Sequence, residues 1–204
     1  MNTMQVNRIA KKLLKDWLPS LVLMTFILIA RSTLADHYFV PSGSMEYTLM
    51  PGDHVLVNKA AYGLRIPFTM QVLALNNEPL AGEIVIFDSP DSDVRLIKRV
   101  VATGGDHVVL RQGRLIVNGA VLALPTDQYQ EQFGQRDAQL NLDAGGGPDI
   151  PGIIVPEGHV LVLGDHRGNS RDGRFFGTIP VSELYGRASA VVWRRSSGPV
   201  WQAL

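Results

Sequence analysis

The stretch Leu96-Ile97-Lys98-Arg99-Val100-Val101 decides how the rest of the chain is read. It is short, rich in β-branched and aliphatic residues and bounded by polar sequence, which predicts a strand. Side chains alternate between the two faces of a strand, so Lys98 shares a face with Leu96 and Val100. An ammonium ion on an apolar face is disfavoured by desolvation. Its pKa then falls from about 10.4 towards neutrality, where a lysine can serve as a base. The competing reading is a lysine on an edge strand whose head reaches water.

Working outward, further brief apolar runs occur at 55–57, 84–87, 94–101, 108–110, 115–117, 160–163 and 188–193, all of strand length. Gln112-Gly113 and Asn118-Gly119 fall between such runs and suit tight hairpin turns that need positive φ. With 20 Gly and 12 Pro in the chain, the expected fold is mainly β, an antiparallel meander. Residues 125–152 are polar, contain Gly145-Gly146-Gly147-Pro148 and show neither helical nor strand periodicity, so a long surface loop in a less regular cap is expected there.

The bulk numbers narrow the function. The 204 residues are 46% hydrophobic, enough for one good-sized domain or a domain with a smaller cap. Lys+Arg and Asp+Glu are 19 each, so nothing attracts a phosphate backbone and nucleic acid is not an expected partner. The absence of Cys excludes a disulfide framework, a thiolate metal site and a cysteine nucleophile together. His37, His54, His107 and His159 stand apart and no H-E-x-x-H occurs, so neither a metal nor a cofactor is expected.

The chain begins basic and turns apolar: Arg8, Lys11, Lys12 and Lys15 face only Asp16, and residues 17–30 carry no charge. Extended to residue 35, this run would form a helix of roughly 28 Å at about 1.5 Å per residue, with Arg31 snorkelling at the outer edge. Trp17, Tyr38 and Phe39 sit where interfacial aromatics collect, and the positive charges place residues 1–16 in the cytoplasm. A cleavable signal peptide fits the same features, since Thr33 and Ala35 match an A-x-A site.

Two further segments carry reactive groups. Pro41-Ser42-Gly43-Ser44-Met45 is followed closely by Pro51-Gly52-Asp53, and taken alone a Ser among Pro and Gly is a turn. Residues 164–174, Gly-Asp-His-Arg-Gly-Asn-Ser-Arg-Asp-Gly-Arg, follow the apolar run 160–163 and gather hydrogen-bonding side chains at a strand end. A Ser-His-Asp triad using His166 with Asp165 or Asp172 is a rival arrangement, but no G-x-S-x-G elbow is present.

Together the three segments resemble the bacterial signal peptidase I family of Ser/Lys endopeptidases, over most of residues 17–193. The resemblance implies that Ser44 is the nucleophile and Lys98 its general base. It implies that Ser42 supplies a side-chain donor to the oxyanion hole, beside the backbone N–H of Ser44. By the same matching, Arg99 neighbours the base, Ser170 hydrogen-bonds Lys98, Asp172 pairs with Arg174 and Gly164 permits close packing. Asp165, Arg167 and Asn169 are support. Val40, Pro41, Met45, Leu49, Leu96 and Ile97 are implied as walls of a shallow pocket for small residues. Two departures stand out: Tyr47 occupies a position where the family usually has Pro, and Ala102-Thr103-Gly104-Gly105 replaces the usual Gly-Leu-Pro-Gly.

The resemblance favours an uncleaved anchor. The expected layout is a cytoplasmic start at 1–16, a transmembrane anchor at 17–35, a catalytic β domain at 36–103 and 159–204, and an inserted cap at 104–158. It implies a single-pass protein of the bacterial inner membrane with its catalytic domain on the periplasmic side, contacting membrane lipid and cutting signal peptides from exported preproteins after small residues. Two other readings stay open: a peptidase dedicated to a pilin or another single client, which Tyr47 keeps alive, and a non-catalytic β domain that binds exported peptides.

Overall fold

The computed structural model describes residues 15–28, 33–66, 72–75 and 77–204. Its strands are β1 (Ala35–Phe39), β2 (His54–Asn58), β3 (Gly63–Arg65), β4 (Val72–Leu75), β5 (Ile84–Asp88) and β6 (Arg95–Thr103). They continue as β7 (His107–Arg111), β8 (Arg114–Val117), β9 (Ala120–Val121), β10 (Gln130–Phe133) and β11 (Arg136–Gln139). The last are β12 (Ile150–Ile154), β13 (His159–Leu163), β14 (Ile179–Pro180), β15 (Leu184–Arg194) and β16 (Gly198–Ala203). Each apolar run picked out above lies within one of these strands, except that Val94 precedes β6.

Eight strands form the main sheet, in the order β1-β2-β15-β5-β6-β13-β14 with β16 on β15. Its strand pairs are antiparallel. The eleven residues of β15 let it pair β5 with its first part and β16 with its second, while β2 runs along its other edge. Alternation sorts the side chains. On β5, Ile84 and Ile86 join a core cluster with Val40, Met45, Leu49, Val55 and Ile97, whereas Val85 and Phe87 join another with Val100, Val162 and Leu184. Lys98 falls in register with Val85, on the face that carries Leu96 and Val100.

A second sheet, β12-β7-β8-β9, and the hairpin β10–β11 both come from residues 107–154. The two tight turns form where Gln112-Gly113 and Asn118-Gly119 stand, each with positive φ at both residues. Val108, Leu110, Leu115, Phe133, Ala138 and Ile150 share one core cluster with Val101, Ala102, Leu161 and Leu163 of the main sheet.

The expected long loop at 125–152 is corrected by the structure: it contains β10, β11 and the start of β12. Inward positions of the hairpin alternate as expected of strands, but one of them is Glu131, which is fully buried. A charge at an inward position conceals the period that apolar residues would reveal.

At the N-terminus, residues 15–28 are helical and their apolar side chains, from Trp17 to Leu28, are exposed. Among the described residues no helix is long and apolar enough to cross a membrane. Residues 1–14 of the expected cytoplasmic start at 1–16 and residues 29–32 of the expected span at 17–35 lie outside the described residues.

Candidate active site

Ser44 sits in the turn between β1 and β2. That turn is pinned at its base by the Val40 N–H to Asp53 O bond (2.9 Å) and the Gly52 N–H to Val40 O bond (2.9 Å). Val40, Met45 and Leu49 have no exposed surface and anchor the turn in the core. The geometry leaves Ser44 at 7% exposure and its neighbour Ser42 exposed. Lys98, from the middle of β6, is 2% exposed and places Nζ 2.6 Å from Ser44 Oγ.

Burial lowers the Lys98 pKa to about 8; nearby Asp172 and Asp165 oppose the shift, and Arg174 reinforces it. The 2.6 Å contact has two forms. A charged Nζ donates to the serine oxygen, and a neutral one accepts the hydroxyl proton.

The segment after β13 braces this pair. Gly164 is tightly packed: a Cβ there would lie 2.3 Å from Ser170 Oγ and 2.5 Å from the Ser44 carbonyl. Its N–H donates to Asp172 Oδ2 at 2.9 Å, and Asp172 accepts two bonds of 2.8 Å from Arg174. Both partners are fully buried. Arg174 also donates to Gly146 O (2.8 Å) and Arg167 O (2.6 Å), tying neighbouring backbone to the same pair.

Arg99 makes a bidentate pair with Asp165 at 2.8 and 2.7 Å, donates to Gly82 O at 2.7 Å and to Thr48 Oγ1 at 3.1 Å. Thr48 Oγ1 in turn donates to Asp165 Oδ2 at 2.5 Å. This clamp joins three chain segments next to the site: the serine turn, β6 and the residues after β13.

Ser170 departs from expectation. Its hydroxyl is buried without a hydrogen-bond partner, so the bond to Lys98 is not formed: Nζ is directed at Ser44 while Ser170 Oγ packs against Gly164. Among the expected pocket walls, Val40, Met45 and Leu49 are fully enclosed, Ile97 is buried, Leu96 is half-buried and Pro41 is exposed. Among the described residues no group of His, Asp and Glu could hold a metal ion.

Sequence reasoning missed the carboxylate behind Arg167. Arg167 and Glu131 form a fully buried pair, with a 2.5 Å contact from Nη2 to Oε2, and Glu131 Oε1 also accepts the Leu115 N–H at 2.9 Å. The only signal was Phe133-Gly134-Gln135-Arg136, a glycine-centred turn between short polar runs. His166, the rival base, does not engage the serine hydroxyl: its Nδ1 faces Gly43 O and Glu46, and Ser44 Oγ is bonded to Lys98.

The family model described as signal peptidase, peptidase S26, matches residues 14–193. The chain belongs to this family. The match runs across the serine turn, β6 and the segment after β13, the three stretches on which the resemblance rested. Among S26-type relatives, signal peptidase I of Pseudomonas aeruginosa is 34% identical over 191 residues, covering 81% of this chain and 67% of that protein. Thylakoidal processing peptidase 1 of Arabidopsis thaliana is 30% identical over 188 residues, covering 92% of this chain and 51% of the relative. A solved signal peptidase I from Enterococcus faecalis aligns with a TM-score of 0.40 and 26% identity, over 55% of this chain and 98% of that one.

Proposed function

We propose that the chain is a serine endopeptidase of the signal peptidase I type, removing N-terminal signal peptides from exported preproteins after small residues. The observation that carries the mechanism is the 2.6 Å contact between Ser44 Oγ and a buried Lys98 Nζ. Burial lowers the Lys98 pKa to about 8, which brings the neutral amine within reach near neutral pH, where it can accept the hydroxyl proton.

Neutral Lys98 takes the hydroxyl proton as Ser44 Oγ attacks the scissile carbonyl, a Ser-Lys counterpart of the Ser-His pair. The Ser42 hydroxyl and the Ser44 N–H stabilise the oxyanion. Protonated Lys98 then gives its proton to the departing amine, leaving an acyl-enzyme. It next activates the water that frees the product. Pro41 and Leu96 keep accessible surface and are the proposed contacts for small substrate side chains, while Val40, Met45, Leu49 and Ile97 are buried in the core.

Residues 36–103 and 159–204 form the catalytic domain, and 104–158 the inserted cap. Residues 17–35 anchor the chain in the bacterial inner membrane, residues 1–16 stay cytoplasmic and the catalytic domain faces the periplasm. The exposed apolar side chains of the 15–28 helix support this reading, because lipid covers what water does not. Anchoring also brings enzyme and preprotein together on one surface. The test is incubation of detergent-solubilised protein with a preprotein: wild type yields a shortened product and Ser44→Ala yields none. Normal cleavage by Ser44→Ala would remove the mechanism.

A further inference from the structure

We propose that His166 is a positioning residue, whose imidazole holds the Gly43–Ser44 peptide so that the Ser44 N–H points at the developing oxyanion. This inference rests on the Ser44–Lys98 reading. Nδ1 of His166 lies 3.3 Å from Gly43 O and 3.2 Å from Glu46 Oε2. The His166 backbone N–H donates to Ser44 O at 3.1 Å, so the same residue grips both carbonyls flanking the nucleophile's Cα on its N- and C-terminal sides.

Gly43 O and Ser44 N–H belong to one peptide unit. In a planar trans peptide the C=O and N–H point in opposite directions, so whatever directs the carbonyl also directs the N–H. Gly43 O accepts from His166 Nδ1 and from the Glu46 N–H (3.1 Å), which together define its direction. A carboxylate and a carbonyl are both acceptors, so Nδ1 is the ring nitrogen that carries the proton. Nε2 is buried without a partner, which would leave a proton placed there unsatisfied.

The arrangement is built in from both sides. A Cβ on Gly43 would come within 2.4 Å of Glu46 Oε1, so glycine leaves room for the carboxylate to lie against the imidazole. Asn141 bridges the His166 backbone and directs its Nδ2 at Glu46 Oε2, 3.5 Å away. The adjacent charges are committed elsewhere, Asp165 to Arg99 and Arg167 to Glu131.

The experiment measures kcat and KM of the full chain in detergent on a preprotein, per active site titrated with a serine-acylating inhibitor. His166→Leu is expected to lower kcat by about tenfold or more, since even a direct oxyanion donor is worth about 10²–10³, with KM within about twofold. His166→Asn places an amide N–H near the position of Nδ1 and should restore most of the loss. Combined with Ser42→Ala, His166→Leu should cost less than the product of the single effects, because both act on one oxyanion. Should His166→Leu melt below the assay temperature, His166→Ala reports instead: it removes the donor to Gly43 O without adding a branched side chain, and kcat falls with KM retained. A wild-type kcat in either variant, or equal losses for Leu and Asn, overturns the inference while cleavage by wild type stands. Absence of cleavage by wild type overturns the Ser44–Lys98 reading and this inference with it.

Discussion

Burial lowers the Lys98 pKa to about 8 in the folded chain, against 10.5 when unfolded. Between those values the unfolded state binds more protons, so stability rises with pH across the window. Below about 8 both states are protonated and the folded state carries the whole penalty, about 3 kcal/mol at about 1.4 kcal/mol per pH unit. Lys98→Met keeps the length of the stem and cannot titrate. It should be inactive and more stable than wild type by about 3 kcal/mol near pH 7, with the gain shrinking as pH rises from 8 to 10.5. Denaturant melts of both proteins across that range check this, and parallel curves would mark Lys98 as solvated. Wild-type turnover should climb over the acid side of the same window, as Lys98 loses its proton. Ser42→Ala tests the oxyanion donor: kcat should fall by about 10²–10³ with little change in KM, and Ser42→Thr should retain much of the activity.

Between elements, the site depends on how closely the end of β13 meets the serine turn. With 2.5 Å between a Cβ at position 164 and the Ser44 carbonyl, Gly164→Ala must shift the serine turn and the segment after β13 relative to each other. Its expected result is a loss of turnover beyond tenfold with KM less affected, because a displacement of about 1 Å can cost about 10²-fold. The β10–β11 hairpin reaches the same segment through Glu131 and Arg167. Glu131→Ala leaves a buried guanidinium unpaired and should cost about 3–5 kcal/mol, measured by urea unfolding. Glu131→Gln keeps an acceptor and should cost less. Tyr47, standing where the family usually has Pro, donates to Asp143 Oδ2 at 3.1 Å, so this departure also connects the serine turn to residues 104–158.

For the whole molecule, zero net charge offers no broad electrostatic attraction to a membrane, so the proposed anchoring rests on the apolar N-terminal segment. The intact chain should pellet with membranes after alkaline wash and have a mass that includes residues 1–35. A chain starting at residue 36 should remain folded, stay in the supernatant and still cleave a soluble peptide, with much lower efficiency on a membrane-bound preprotein. A mature mass beginning at Asp36 would instead identify 1–35 as a cleaved signal.

Strand positions and the reactive face of β6 were legible because period-two alternation is local: Leu96, Lys98 and Val100 share a face whatever the rest of the chain does. The two hairpin turns were equally local, since Gln112-Gly113 and Asn118-Gly119 accept positive φ by their own chemistry. The motif order also sufficed for family membership. Distances between segments far apart in the chain were decided by packing. That Ser44 meets Lys98 at 2.6 Å, that Ser170 leaves Lys98 unbonded, and that Glu131 pairs with Arg167 follow from how the turn, β6, β13 and the hairpin stack. The His166 imidazole shows the same division. Its identity is written at one position, but its two acceptors arrive from Gly43 and Glu46, more than a hundred residues away, and only the folded chain brings them within 3.3 Å.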